Sequence, residues 1–198
     1  MYLAARPTTL KGMTPLDRTL HSSLIVAPVI YLVADVLYTL RGWDDPTAAV
    51  FHILGAAAYI LVVFRLAGLD SGWLSAALLV VGALGAAGNV GYGFNTIHVS
   101  LGDTDLVDAT GAATLIKPLG LLFPLTLLLA AVVVRRVGPG GVAPALGVAA
   151  LAWPVAHIAN IGWLAVLVNV VLVVAFAVVR RSLAHVAAPP RPATAASL

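Results

Sequence analysis

Six runs of apolar residues, each close to the length an α-helix needs to cross a bilayer, divide this sequence almost from end to end. A hydrocarbon core about 30 Å thick takes ~20 residues of helix. Lipid offers no partner to a backbone N–H or C=O, so long apolar runs must satisfy those groups internally, as packed helices do. The runs cover Ser22 to Leu40, Ala48 to Leu66, Leu74 to Phe94, Thr110 to Val134, Val142 to Ile161 and Trp163 to Val179. The expected fold is all-α, a polytopic membrane helix bundle of six transmembrane helices within residues 1–181. Residues 182–198, rich in Ala, Pro and Ser, read as a disordered cytoplasmic tail. The Ile161-Gly162-Trp163 link can be a surface turn or a kink inside one long helix.

Of the 198 residues, 61% are hydrophobic and 10% charged, whereas soluble domains carry roughly 25% charged residues. There is no Cys, which excludes disulfides, thiolate catalysis, iron–sulfur ligation and cysteine zinc sites. The net charge of +3 is accounted for by basic flanks, so the bilayer is the expected partner and nucleic acid is not. Arg6, Lys11 and Arg18 precede the first span, Arg65 closes the second, Arg135 and Arg136 follow the fourth, and Arg180, Arg181 and Arg191 follow the sixth. A six-helix topology puts all of these on one side, and Asp44, Asp45, Asp103, Asp105 and Asp108 on the other. Positively charged flanks stay in the cytoplasm, which places both termini there in a multi-pass protein of the cell membrane. The first span lacks a small-residue cleavage pattern, so no cleaved signal peptide is expected.

Local signals mark the helix ends. Thr14-Pro15 with Asp17, and Asp45-Pro46, pair an oxygen acceptor at the cap with a proline whose missing N–H costs nothing in the first turn. Asp70-Ser71, and Asp108 with Thr110, are expected to cap the third and fourth helices, and Gly138-Pro139-Gly140-Gly141 breaks the chain before the fifth. Pro28, Pro118, Pro124 and Pro154 fall inside spans, where neighbouring helices must satisfy the freed carbonyls.

Polar side chains in hydrocarbon are costly, so their positions carry the functional information. Asp35, His52, Lys117 and His157 lie at similar distances from the outer end of four helices and form the candidate catalytic set. Tyr31, Tyr38, Tyr59, Asn89, Tyr92, Asn95, Trp153, Asn160 and Asn169 form the candidate ligand-binding set. Several share a helix face at spacings of three, four or seven. The inner halves of the spans offer almost no polar group. Plainer readings stand beside this one. Amides act as interhelical glue, Trp43, Trp73, Trp153 and Trp163 suit the interface, and Gly82, Gly85, Gly88 and Gly91 at a spacing of three suit close helix packing. Asp35 and Lys117 can form a structural ion pair, or Lys117 can snorkel outward.

The cluster suits a pocket in the outer half that binds a lipophilic small molecule, with acid–base isomerisation or cyclisation as its chemistry. Burial favours the neutral acid of Asp35, which donates protons, unless the Lys117 ammonium is near enough to ionise it. His52 and His157 could relay protons, and aromatic faces could hold a cationic intermediate. Two other classes use the same residues. His52 and His157 could ligate a haem b stacked on the glycine stripe, or join His98 and Asp35 around a metal ion. A small proton-coupled transporter or partner subunit could use Asp35 and Lys117, with a homo-oligomer completing the path. No motif names a cofactor. Walker loops, H-E-x-x-H and Gly-x-Ser-x-Gly are all missing from the sequence.

Overall fold

The structure, a computed structural model, describes residues 13–186. They form α1 (Pro15–Arg41), α2 (Pro46–Ala67), α3 (Trp73–Ser100), α4 (Ile116–Val137), α5 (Ala143–Ile158) and α6 (Gly162–Val186). Short 3-10 turns, Gly111–Leu115 and Gly140–Val142, lead into α4 and α5. Counting those turns, six helices are long and apolar enough to cross a membrane. The chain is thus an integral membrane protein built as an all-α six-helix bundle. Its outward faces match a bilayer: Val29, Val33 and Val36 of α1 and Val148, Leu151 and Val155 of α5 are exposed. An apolar shell of that extent is a liability in water and the proper surface against acyl chains.

Each helix packs on the next in sequence, and α6 closes the ring against α1. Short connections force this antiparallel order. Gly42–Asp45 joins α1 to α2, and a turn at Ala159–Ile161 joins α5 to α6, so the Ile161 link is a turn and not a kink. Asn160 sits in that turn at φ +54°, a left-handed conformation that Asn tolerates better than most residues. Alternation gathers Arg18, Arg65, Arg135, Arg136, Arg180 and Arg181 at one end of the bundle. Asp44, Asp45, Asp103, Asp105 and Asp108 lie at the other. We call these the arginine end and the aspartate end.

Two of the expected caps form and two do not. Thr14 Oγ1 accepts from the Asp17 backbone N–H at 3.1 Å, and Asp45 Oδ1 from that of Ala48 at 2.7 Å. Asp70 instead accepts from Ser71 N (2.8 Å), and α3 starts after Gly72 with no side-chain cap. Neither Asp108 nor Thr110 caps α4, because the 3-10 turn takes up the chain before the α-helix begins. Pro118 falls in the first turn of α4, where it breaks no bond, so only Pro28, Pro124 and Pro154 are interior. α1 starts two turns before the expected Ser22, α3 runs six residues past Phe94, and α6 continues to Val186, inside the segment read as a tail. The rest of that tail, and Arg6, Lys11 and Arg191, lie outside the described residues.

The glycine stripe of α3 is a packing surface. A Cβ at Gly85 or Gly88 would meet the α4 backbone at 2.7 and 2.5 Å, at Leu122 and Leu119 respectively. Side chains would hold the two helices apart, so Gly at these positions sets their separation. At Gly91, the last of the stripe, a Cβ would meet nothing within 4 Å. Gly85→Ala and Gly88→Ala should each destabilise the protein by about 1–3 kcal/mol through overpacking against rigid backbone. Gly91→Ala should be neutral or gain up to about 1 kcal/mol from helix propensity. Thermal unfolding in detergent checks this, and equal effects at all three positions would refute the packing role.

Candidate functional site

The geometry starts from α1, which turns Tyr31, Asp35 and Tyr38 inward at spacings of four and three. α2 can come close because Gly55 faces Tyr31: a Cβ there would lie 3.0 Å from the Tyr31 nitrogen and ring. One turn away, His52 then reaches the Tyr31 hydroxyl, its Nε2 at 3.0 Å. From α3, Asn89 approaches the same oxygen. Its Nδ2 donates to the carbonyls of Gly85 (3.1 Å) and Gly120 (3.4 Å), which turns its Oδ1 toward Tyr31. Pro124 has no N–H to offer Gly120, so Asn89 supplies the neighbour that an interior proline requires.

Proton positions follow from donor and acceptor capacity. The Tyr31 hydroxyl donates its one hydrogen to Asn89 Oδ1 at 2.8 Å, so it can only accept from His52. His52 therefore carries its proton on Nε2, and its buried Nδ1 meets no protein donor.

A second network lies one turn further along α1. Asp35 is fully buried. Asn169 of α6 donates to Asp35 Oδ2 at 2.6 Å, and His157 Nε2 of α5 lies 3.3 Å from Oδ1. The other ring nitrogen, Nδ1, donates to the Trp153 carbonyl at 2.9 Å, since a carbonyl only accepts. The Nε2–Oδ1 contact can be made by an O–H on the carboxyl or by an N–H on the ring.

Aromatic rings enclose this couple. The His157 ring lies flat on Trp153, centroids 3.9 Å apart at 15°, with the edges of Trp43 (5.7 Å) and Tyr31 (6.3 Å) beside it. Tyr31 also stacks on Phe123 at 5.5 Å and meets Tyr59 edge-on at 5.9 Å. Trp43 covers the aspartate end: it stacks on Tyr38 at 5.2 Å, and its Nε1 donates to the Asn160 carbonyl at 3.0 Å. The Tyr59 hydroxyl, Trp153 Nε1 and Asn169 Oδ1 join His52 Nδ1 as buried polar atoms with no protein partner.

Tyr31, Asp35, Tyr38, His52, Tyr59, Asn89, Trp153, His157 and Asn169 thus belong to one connected cluster, while four of the sequence-derived candidates do not join it. Lys117 is exposed in the first turn of α4, too near the helix end for its long side chain to remain inside, so no Asp35–Lys117 pair forms. Tyr92 covers Gly120 from the side. Asn95 ties down the following loop, donating to Asp105 Oδ1 (2.8 Å) and accepting from Leu106 N (2.9 Å). The Asn160 side chain is exposed, and only its carbonyl contributes.

The haem and metal geometries find no support in these contacts. Both Nε2 atoms are engaged by Tyr31 and Asp35, and α4 covers Gly85 and Gly88 of the stripe. His98 pairs with Asp103 (3.2 Å) on the loop beyond α3, and among the described residues no three potential ligands converge on a metal position. Sequence reasoning also missed Phe123, the covering role of Trp43, and buried polar residues toward the arginine end: His21, Ser23, Ser75 and Thr126. The Thr14-Pro15 cap was the available signal for His21, since it places that residue in the second turn of α1.

No protein-family model, curated protein or solved structure matches the chain.

Tyr31→Phe strands the His52 Nε2–H and Asn89 Oδ1 without moving the ring, and should cost about 1–3 kcal/mol. Asp35→Ala strands His157 and Asn169 together and should cost more, about 3–5 kcal/mol, as in other broken buried pairs. Equilibrium unfolding in mixed micelles reads both. An unfolding free energy unchanged in either variant would mean that the corresponding network is not formed.

Proposed function

We propose that the protein is a one-sided, membrane-embedded acid–base site for a lipophilic small molecule, entered from the aspartate end. The observation that carries this reading is the Asp35–His157 contact at 3.3 Å, its carboxyl fully buried and set among aromatic faces. Asn169 holds the carboxyl in place through the other oxygen. The buried atoms without protein partners, two donors (Tyr59, Trp153) and two acceptors (His52, Asn169), supply hydrogen-bonding capacity that a polar group on an otherwise apolar ligand would use. By the positive-inside rule the arginine end faces the cytoplasm, so the ligand arrives from the opposite leaflet of the cell membrane.

Isomerisation of an unsaturated ligand fits this couple. The Asp35 carboxylic acid gives its proton to an alkene carbon, leaving a carboxylate beside His157. The Tyr31 and Trp153 faces stabilise the carbocation. The carboxylate then takes a proton from a neighbouring carbon, which shifts the double bond and restores the acid. No oxidant or net proton is required, and cyclisation differs only in that a second alkene attacks the cation before proton loss. Toward the arginine end the core is a block of Leu24, Val62, Leu66, Leu78, Leu127, Val134, Leu146 and Leu172. That block favours chemistry at one face over proton-coupled transport. Trp43 stands across the entrance, so ligand entry requires its displacement from Tyr38 and Asn160.

Mass spectrometry of lipids extracted from protein purified in mild detergent tests the proposal. Wild type should carry one lipophilic compound beyond the bulk lipids, and Asp35→Asn should carry none of it or only its unconverted isomer. General acid–base catalysis contributes about 10²–10⁴-fold in rate, so once a substrate is in hand Asp35→Asn and His157→Gln should lose at least ~100-fold in turnover. Identical extracts from wild type and folded Asp35→Asn protein would overturn the reading.

A further inference from the structure

The arginine end carries a second feature, independent of the buried couple. A groove of about 490 Å³ runs between α1 and α2, lined by Arg18, Thr19 and Ser22 near the rim and by Val26, Ala58 and Leu61 deeper in. From Arg18 to Val26 it rises about 12 Å at 1.5 Å per residue. Its polarity falls in the same direction, from guanidinium through hydroxyls to aliphatic carbon. On α2, Ala58, Leu61 and Arg65 stand three and four residues apart and share a face, so Arg65 follows the lining residue Leu61 by one turn toward the arginine end.

Among the described residues, neither Arg18 nor Arg65 forms a salt bridge, and Arg65 Nε is buried without a partner. Asp17, the nearest acid in sequence to Arg18, accepts from the Thr14 hydroxyl through Oδ2 at 2.7 Å. Arg65 and Arg180 both act electrostatically on His21, which is itself nine-tenths buried with Nδ1 unpartnered. Arg18 thus stands at the rim of a groove whose floor is aliphatic, with Arg65 one turn beyond Leu61 on the neighbouring helix.

We propose that this groove binds an acidic glycerophospholipid of the adjoining leaflet. The phosphate lies between Arg18 and Arg65 with the hydroxyl of Ser22 in reach, and one acyl chain follows Val26, Ala58 and Leu61 toward the midplane. An anionic headgroup answers the uncompensated charge. The acyl chain accounts for the apolar floor, which a free phosphate would leave unused.

Thermal unfolding of the full chain in nanodiscs of phosphatidylcholine, with and without equimolar phosphatidylglycerol, tests this. Phosphatidylglycerol should raise the wild-type midpoint by about 2–4 °C. Arg18→Gln/Arg65→Gln should lose that increment while keeping the wild-type midpoint in phosphatidylcholine alone. Arg135→Gln/Arg136→Gln, another basic pair at this end, should retain it. If the first double variant is itself unstable, Ala58→Trp, which fills the groove without changing charge, must lose the increment instead. The proposal is overturned if wild type shows no increment, if both double variants lose it equally, if Ala58→Trp keeps it, or if inorganic phosphate alone reproduces it.

Discussion

One chain of hydrogen bonds, from His52 through the Tyr31 hydroxyl and Asn89 to the Gly120 carbonyl, joins α2, α1, α3 and α4 in a medium that offers no substitute partner. In water each link would compete with solvent and contribute little. In the centre of a bilayer the unlinked alternative is a bare polar group in hydrocarbon, which makes the arrangement selective even where each bond is modest. The same chain repairs the gap that Pro124 leaves in α4 and fixes the tautomer of His52. Helix order, proline tolerance and proton placement therefore share one cause.

That scaffold also explains where the Asp35–His157 contact sits. Tyr31 and Asp35 are one turn apart on α1, so fixing Tyr31 against α2 and α3 aims Asp35 at the opposite wall, where α5 and α6 present His157 and Asn169. A carboxyl buried this deeply is tolerable because both of its oxygens have polar partners, His157 Nε2 and Asn169 Nδ2. Trp153, Trp43 and Tyr31 then exclude lipid and water from the couple. Beneath it, the core is packed with aliphatic side chains.

Much of this was legible in the sequence, for reasons that differ residue by residue. Asp35, His52, Asn89, His157 and Asn169 were recognisable because a polar side chain inside a hydrophobic run has few places to point. Lys117 misled because its depth depended on where α4 begins, and the 3-10 turn at Gly111–Leu115 moves it to the rim. Asn160 misled because it belongs to a turn, and Asn95 because α3 extends far enough for it to bond the next loop. His21 fell just outside the run that hydropathy defined, although the Thr14 cap already placed it in the helix.

The sequence by itself determined the number of spans, their all-helical character, two of their caps and the concentration of arginines at one end and of most loop aspartates at the other. These follow from the thickness of hydrocarbon, the backbone's need for internal partners and the local preferences of Thr-Pro and Asp-Pro. Only the tertiary structure decided which polar groups meet. A spacing of three or four names the face of a helix but not the neighbour it turns toward. That choice came from close approaches at Gly55, Gly85 and Gly88, which set helix separations, and from the closing of α6 on α1, which brings Asn169 within 2.6 Å of Asp35.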